Sequence, residues 1–281
     1  MGAGFIGCII LEALASRGVQ LTVVEMGNRM VPRRITEGAG GLIKKWCEKK
    51  SVKVFTSTKV EAIEKSGNSA NPLKVKLSNG ESLTVGLVIS ATGVRPNIEF
   101  LKGSGVTCDT GIKVDETMQT NVSGVYAAGD VAQAMEFYTG AQLVNAIQPN
   151  AADQARIAAL NMAGKATRSQ GTMAINVLNT LGLISSSFGQ WMGVKGGEHT
   201  ELVDAENFRY LRLEFKDDLV VGATSLGLTD QVGTIRGLIQ SKIRLGDWKE
   251  RLLKDPTRFK EAYLARTKGT DEHYAQTLRH A

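Results

Sequence analysis

Apolar residues fall in short blocks separated by glycines and polar turns, and the period of the blocks changes along the chain. In "FIGCIILEALASRG", Ile6, Ile10, Ala13 and Leu14 recur at helical spacing. That spacing predicts a helix with those residues inward and Gly18 just past its end. "VQLTVVE" is a short β-branched run, hence a strand, ending in Glu25. After Pro32 a helix is expected, with Thr36 at its cap and Leu42, Ile43 and Trp46 as its apolar contacts. Its glycines, Gly38, Gly40 and Gly41, follow no strand, so they predict close packing of the helix rather than a phosphate loop. Two strands follow in "KVFTSTKVEAIEK", then a hairpin about Asn79-Gly80 and a buried strand from Leu87 to Ala91. A further apolar strand is expected from Val125 to Ala128. From Gly171 onward the pattern gives strands joined by turns, one of them at Asp217-Asp218, and an amphipathic helix in "QVGTIRGLIQSKI". Lys249, Arg251, Lys254, Arg258 and Lys260 read as a solvated helical face with Trp248, Leu252 and Phe259 inward.

Chemistry enters at the first block. Gly2, Gly4 and Gly7 match G-x-G-x-x-G, and Phe5 and Ile6 fill the loop. In that pattern the first glycine makes a tight turn and the second lets a pyrophosphate approach the backbone. The third lets the helix pack close, with its N-terminal N–H groups facing the phosphates. The motif alone is weak evidence; loop, helix, strand and acid together are stronger. Glu25 stands where the pattern expects a partner for adenosine ribose hydroxyls, so NAD is favoured and the 2′-phosphate of NADP repelled. Ligands in open α/β sheets lie beyond the carboxyl ends of strands, which brings Gly93 of "ATGVRPN" near the same cofactor.

Composition narrows the classes. A chain of 281 residues holds two or three domains. No apolar run is long enough for a membrane span and no signal-peptide pattern opens the chain, so the expectation is a cytoplasmic protein without membrane partners. A net charge of +6 suits nucleotides or an acidic protein and does not argue for nucleic acid. Cys8, Cys47 and Cys108 lack metal-ligand spacing, and Cys8 is expected to be a packed apolar group. His199, His273 and His280 form no triad, and no metal site is expected.

"GAGFIG", "VVE", "ATGVRPN" and "TNVSGVYAAGDV", in this order, resemble the FAD-dependent pyridine nucleotide-disulfide oxidoreductase superfamily, in its NADH oxidase, nitrite reductase flavoprotein and rubredoxin or ferredoxin reductase branches. The resemblance implies an α/β chain. Its parts are a Rossmann-like NAD domain lacking its first strand (1–96), the C-terminal remnant of an FAD domain (97–165) and an α+β interface domain (166–281). It further implies that Ile6, Glu25 and Gly93 contact NAD and that Asp130, beside Gly129, binds the FAD ribitol. Ile147, Gln148 and Pro149 would fall on the turn of a helix facing the flavin ring. The implied activity is a flavin-dependent NADH oxidoreductase, passing hydride from NADH to FAD and electrons on to an unidentified acceptor, with a redox protein as one candidate. Self-association through the last domain, giving a homo-oligomer, is also implied.

Two departures qualify the resemblance. Many members carry a Glu two residues after the third loop glycine, where this chain has Ile9. The family's first FAD half and the first strand of its NAD domain would precede Met1. The expectation is therefore an incomplete enzyme that does not retain stoichiometric FAD by itself. The competing reading is an NAD-binding module without turnover, serving regulation or assembly.

Overall fold

The computed structural model describes residues 1–267; His273 and His280 lie outside them. The chain forms two compact units, one of residues 1–93 with those from 176 onward, the other of residues 94–175.

In the first stretch, α1 (Phe5–Ala15) leads to β1 (Thr22–Val24), and α2 (Glu37–Lys49) to β2 (Lys53–Phe55). The two strands pair in parallel, with Val23 opposite Val54. An antiparallel meander follows: β3 (Val60–Lys65), β4 (Leu73–Leu77) and β5 (Ser82–Val85), with Gly80 at φ +85° in the tight turn joining β4 to β5. Two expectations need correction here. The inner face of α1 is Cys8 and Leu11, whereas Ile6 is 45% exposed and Ala13 is exposed. The helix is apolar nearly all round, so its period alone does not choose a face. Residues 87–91 form no strand, and Leu87 is 70% exposed. A strand requires a paired neighbour, and among the described residues the backbone bonds to this segment come from Met1.

The second unit contains β6 (Ile112–Lys113), β7 (Ala132–Met135), β8 (Gln142–Leu143) and α3 (Gln148–Met162). Its core is Ile112, Val114, Met118, Ala132, Ala134 and Ala158. The strand expected from Val125 to Ala128 is reduced to a single bridge between Tyr126 and Gln119, with Val125 exposed. The strand proper is β7, displaced to Ala132–Met135 after Asp130.

The remaining residues build a five-stranded antiparallel sheet of β9 (Ile175–Thr180), β10 (Leu183–Gly189), β11 (Glu198–Asp204), β12 (Arg209–Lys216) and β13 (Leu219–Leu226), in the order β11-β12-β13-β10-β9. Then come α4 (Val232–Gln240) and α5 (Trp248–Lys254), and residues 259–267 are again helical. Leu252 and Phe259 are buried and Arg251 and Lys254 exposed, in line with the pattern, whereas Trp248, Lys249, Arg258 and Lys260 are half-buried, so the face is only partly solvated. This sheet shares one core with the first stretch: Cys8, Leu11, Val23, Ile43 and Cys47 cluster with Leu178, Leu183, Tyr210 and Leu226. Gly38 in α2 belongs to the same seam, since a Cβ there would lie 2.9 Å from the Tyr210 ring. Thr36 is the N-cap residue of α2, but its hydroxyl bonds to Tyr210 (3.0 Å) instead of capping the helix.

Candidate functional site

Residues 1 and 2 run between β1 and residues 89–91. The Gly2 N–H donates to the Val24 carbonyl (2.8 Å) on one side, and the Ala91 N–H donates to the Met1 carbonyl (2.8 Å) on the other. The chain then turns at Gly2, φ +89°, where a Cβ would stand 2.4 Å from the Ala91 oxygen. At Gly7 a Cβ would stand 2.1 Å from the Gly2 oxygen, so α1 packs against its own loop only because that side chain is absent. Gly4 differs. A Cβ there would meet nothing within 4 Å, and Gly93, φ +117°, is likewise open. The glycines thus divide into two that close the loop and two that leave space beside it.

Gly4 is also the N-cap of α1, which has no side-chain cap and no acid in its first turn. First-turn N–H groups of a helix have no intrahelical partner and carry the positive end of its dipole. They are suited to a phosphate. Phe5 packs on the core, while Ile6 and Ile9 are exposed at 45% and 49%.

Glu25 follows β1 and is buried. Its backbone is fixed, its N–H bonded to the Phe55 carbonyl (2.8 Å) and its carbonyl accepting from Thr58 N–H (3.0 Å). The Ala3 N–H donates to Oε2 (2.6 Å) and the Gly27 N–H to Oε1 (2.7 Å). A carboxylate has about four acceptor positions, so two are taken and acceptor capacity remains for hydroxyl donors. Ala3 and Gly27 escaped the sequence reading because backbone donors carry no residue-type signal.

In the second unit, Gly129 (φ +83°) begins a single 3-10 turn, Gly129–Val131, that places Asp130 in solvent. The Gly129 N–H donates to Gln154 Oε1 (2.7 Å), tying this turn to α3. Gln154 is 3% exposed and was not foreseen; it lies two turns inside the helix, a position that reads as ordinary surface polarity. Ile147 is the N-cap of α3, with no side-chain cap, and Gln148 and Pro149 open the first turn exposed to solvent. The structure therefore groups Gly2, Gly4, Phe5, Ile6, Gly7, Glu25 and Gly93 in one unit, and Gly129, Asp130, Ile147, Gln148 and Pro149 in the other.

Cys8 and Cys47 are buried, and burial pushes each thiol up to about 12, the setting of inert packed groups. Among the described residues no cluster of His, Cys, Asp and Glu could hold a metal ion, and no helix is long and apolar enough to cross a membrane.

A glycine loop closed on a helix, beside an acid at the end of the next strand, defines a dinucleotide-binding fold. Comparison with known proteins makes the class specific. Residues 1–149 match the family described as Pyridine nucleotide-disulphide oxidoreductase, and the chain belongs to that family. It is 34% identical over 220 residues to the NADH-dependent phenylglyoxylate dehydrogenase subunit epsilon of Aromatoleum evansii, covering 78% of this chain and 51% of that one. It is 35% identical over 167 residues to the NADH oxidase of Methanocaldococcus jannaschii, covering 58% and 36%. The solved NAD-dependent persulfide reductase from A. fulgidus superposes with a TM-score of 0.78 at 25% identity, over 88% of this chain and 49% of that one. The chain thus spans about half the length of the first and third of these, and less of the second.

Proposed function

We propose that this chain carries the NADH-binding part, and one side of the flavin-binding part, of a flavin-dependent NADH oxidoreductase. The observation that carries the proposal is the Glu25 carboxylate held against the glycine loop by Ala3 and Gly27, with Gly4 and Gly93 open beside it. On this reading the α1 N-terminus and Gly4 hold the pyrophosphate, Glu25 accepts from the adenosine ribose, and the open Gly93 and the exposed Ile6 contact the rest of the dinucleotide.

Asp130 would accept from the ribitol hydroxyls of FAD, and Gln154 holds the turn that presents it. The uncapped first turn of α3 would set N–H groups and a partial positive charge toward the pyrimidine edge of the flavin ring. Flavin supplies the redox chemistry when bound, and the protein supplies position and electrostatics. No side chain needs to act as acid or base on this reading. The acceptor is a redox protein or small oxidant, and the implied self-association rests on residues 171–281. The names of the relatives, NADH oxidase and an NADH-dependent dehydrogenase subunit, support a nicotinamide-linked electron transfer.

The test is a double dissociation by equilibrium titration. Glu25→Ala should weaken NADH binding and spare FAD, and Asp130→Ala should weaken the residual, sub-stoichiometric FAD binding expected of this chain and spare NADH. Parallel losses in both variants, or none in either, would contradict these assignments.

A further inference from the structure

The backbone of Val31 takes a shape that its sequence resists. Its φ is +50°, in the left-handed region. A β-branched side chain disfavours that region, and a following proline, here Pro32, pushes the residue before it toward extended backbone. Such strain persists only where the surroundings over-determine it, and it gathers at functional sites. Val31 is buried, and the bonds around it show what fixes it.

The Val31 N–H donates to the Ala3 carbonyl (2.8 Å), and the Arg34 N–H donates to the Val31 carbonyl (3.0 Å). Arg29 closes the same turn with its side chain. Its Nη2 donates to the Pro32 carbonyl (2.9 Å) and its Nε to the Ile35 carbonyl (3.1 Å). Its third nitrogen, Nη1, donates to Asn28 Oδ1 (2.8 Å). Helix α2 makes room at Gly40, where a Cβ would lie 2.9 Å from Arg29 Cδ.

This turn backs both groups that hold Glu25. Ala3, whose N–H donates to Oε2, is held at its carbonyl by Val31. Gly27, whose N–H donates to Oε1, lies against Pro32: a Cβ on Gly27 would stand 2.9 Å from the ring Cγ. One strained turn thus supports the donors on both oxygens of one carboxylate.

We propose that Arg29 and Val31 are positioning residues for the adenosine end of the dinucleotide, acting through Ala3 and Gly27 on the Glu25 carboxylate. The inference rests on the ribose-binding role given to Glu25 above. Arg29 spans two carbonyls with one rigid planar fork, which the single ammonium of a lysine does not reproduce.

Calorimetric titration of the full chain with ADP-ribose tests this, using Glu25→Ala, Arg29→Ala, their double variant and Arg29→Lys. Arg29→Ala should weaken ADP-ribose about fivefold, within the range for residues coupled through one hydrogen-bond network. Arg29→Lys keeps the charge and should lose nearly as much. In the Glu25→Ala background, Arg29→Ala should cost nothing further. Amide hydrogen exchange at Ala3 and Gly27 should quicken in Arg29→Lys while that of Leu213 in β12 stays unchanged, because the loosening is local. Thermal melts identify any unfolded variant, and Arg29→Lys carries the test if Arg29→Ala does not fold. Parental affinity in Arg29→Lys, additive losses in the double variant, or unchanged exchange at Ala3 and Gly27 would overturn the proposal while leaving Glu25 in its role. Parental ADP-ribose affinity in Glu25→Ala alone would remove that role, and this inference with it.

Discussion

The Ala3 N–H and the Glu25 carboxylate meet at 2.6 Å, joining the middle of the glycine loop to the end of the neighbouring strand. Ala3 is 1% exposed, so in the intact fold its N–H is satisfied by this carboxylate and not by solvent. Glu25 therefore shapes the loop, whatever it accepts from a ligand. Glu25→Ala should lower unfolding stability by about 1–3 kcal/mol, the cost of a buried donor left unsatisfied. Glu25→Gln, which keeps one acceptor oxygen, should lose less. Urea unfolding midpoints of the three proteins check the order.

The glycines separate folding from binding. Gly4 has φ −75°, which any residue adopts, and open space at its Cβ position. Gly4→Ala should fold with stability within about 1 kcal/mol of the parent, the scale of an N-cap change, and lose about tenfold in NADH affinity, or ~1.4 kcal/mol. Gly7→Ala should instead destabilise the fold by ~1–3 kcal/mol or more, because its Cβ would overlap the Gly2 oxygen. Thermal melts beside NADH titrations distinguish the two outcomes. A Gly4→Ala protein with parental affinity would remove the pyrophosphate from this position.

Alkaline pH should weaken the fold by a predictable route. Burial pushes Tyr210, Cys8 and Cys47 each up to about 12, from ordinary values of 10.0 for the phenol and 9.0 for the thiols. Above pH 9 the unfolded chain loses these protons while the folded chain keeps them. Stability is therefore fully present below pH 9 and declines as pH rises toward 12. Tyr210→Phe should flatten the upper part of that decline. It should also cost about 1–3 kcal/mol, since the buried Thr36 hydroxyl loses its partner. Denaturant midpoints between pH 8 and 11 measure both effects.

Thiol chemistry gives a simpler check. Cys8 and Cys47 are buried and Cys108 is half-buried. A thiol reagent at pH 8 should modify Cys108 in the native protein and reach the other two only on unfolding. Native modification of all three would show that the core joining α1, α2 and the C-terminal sheet opens readily.

Much of this was legible in the sequence, and the failures have physical causes. The loop glycines, Glu25 and Gly93 stood out because they are residue types chosen for backbone conformation or charge at fixed spacing. Gly38 and Gly40 are packing positions as the sequence suggests, with Cβ sites 2.9 Å from the Tyr210 ring and 2.7 Å from the Met30 oxygen, but Gly41, expected to pack likewise, has open space at its Cβ position. The inner face of α1 was misread because Ile6, Ile10 and Leu14 are as apolar as the Cys8 and Leu11 that the fold buries. Residues 87–91 have strand composition, but strands exist through pairing, and Met1 gives that segment only two bonds. β11 went unnoticed because "EHTELVD" is polar, with its burial alternating only between exposed and half-buried. The bonds from Ala3 and Gly27 to Glu25 are backbone contacts set by tertiary approach, and only coordinates reveal them.

The central claim is that Glu25, beside the glycine loop, receives the adenosine ribose of NADH. The most direct measurement is parallel calorimetric titration of the full chain with NADH and with NADPH, repeated with Glu25→Ala. NADH should bind at least about tenfold more tightly than NADPH, a difference of ~1.4 kcal/mol, because the 2′-phosphate would face a buried carboxylate. In Glu25→Ala that gap should narrow, chiefly through weaker NADH binding. Equal affinity for the two nucleotides in the unaltered protein, or an undiminished gap in the variant, would contradict the account.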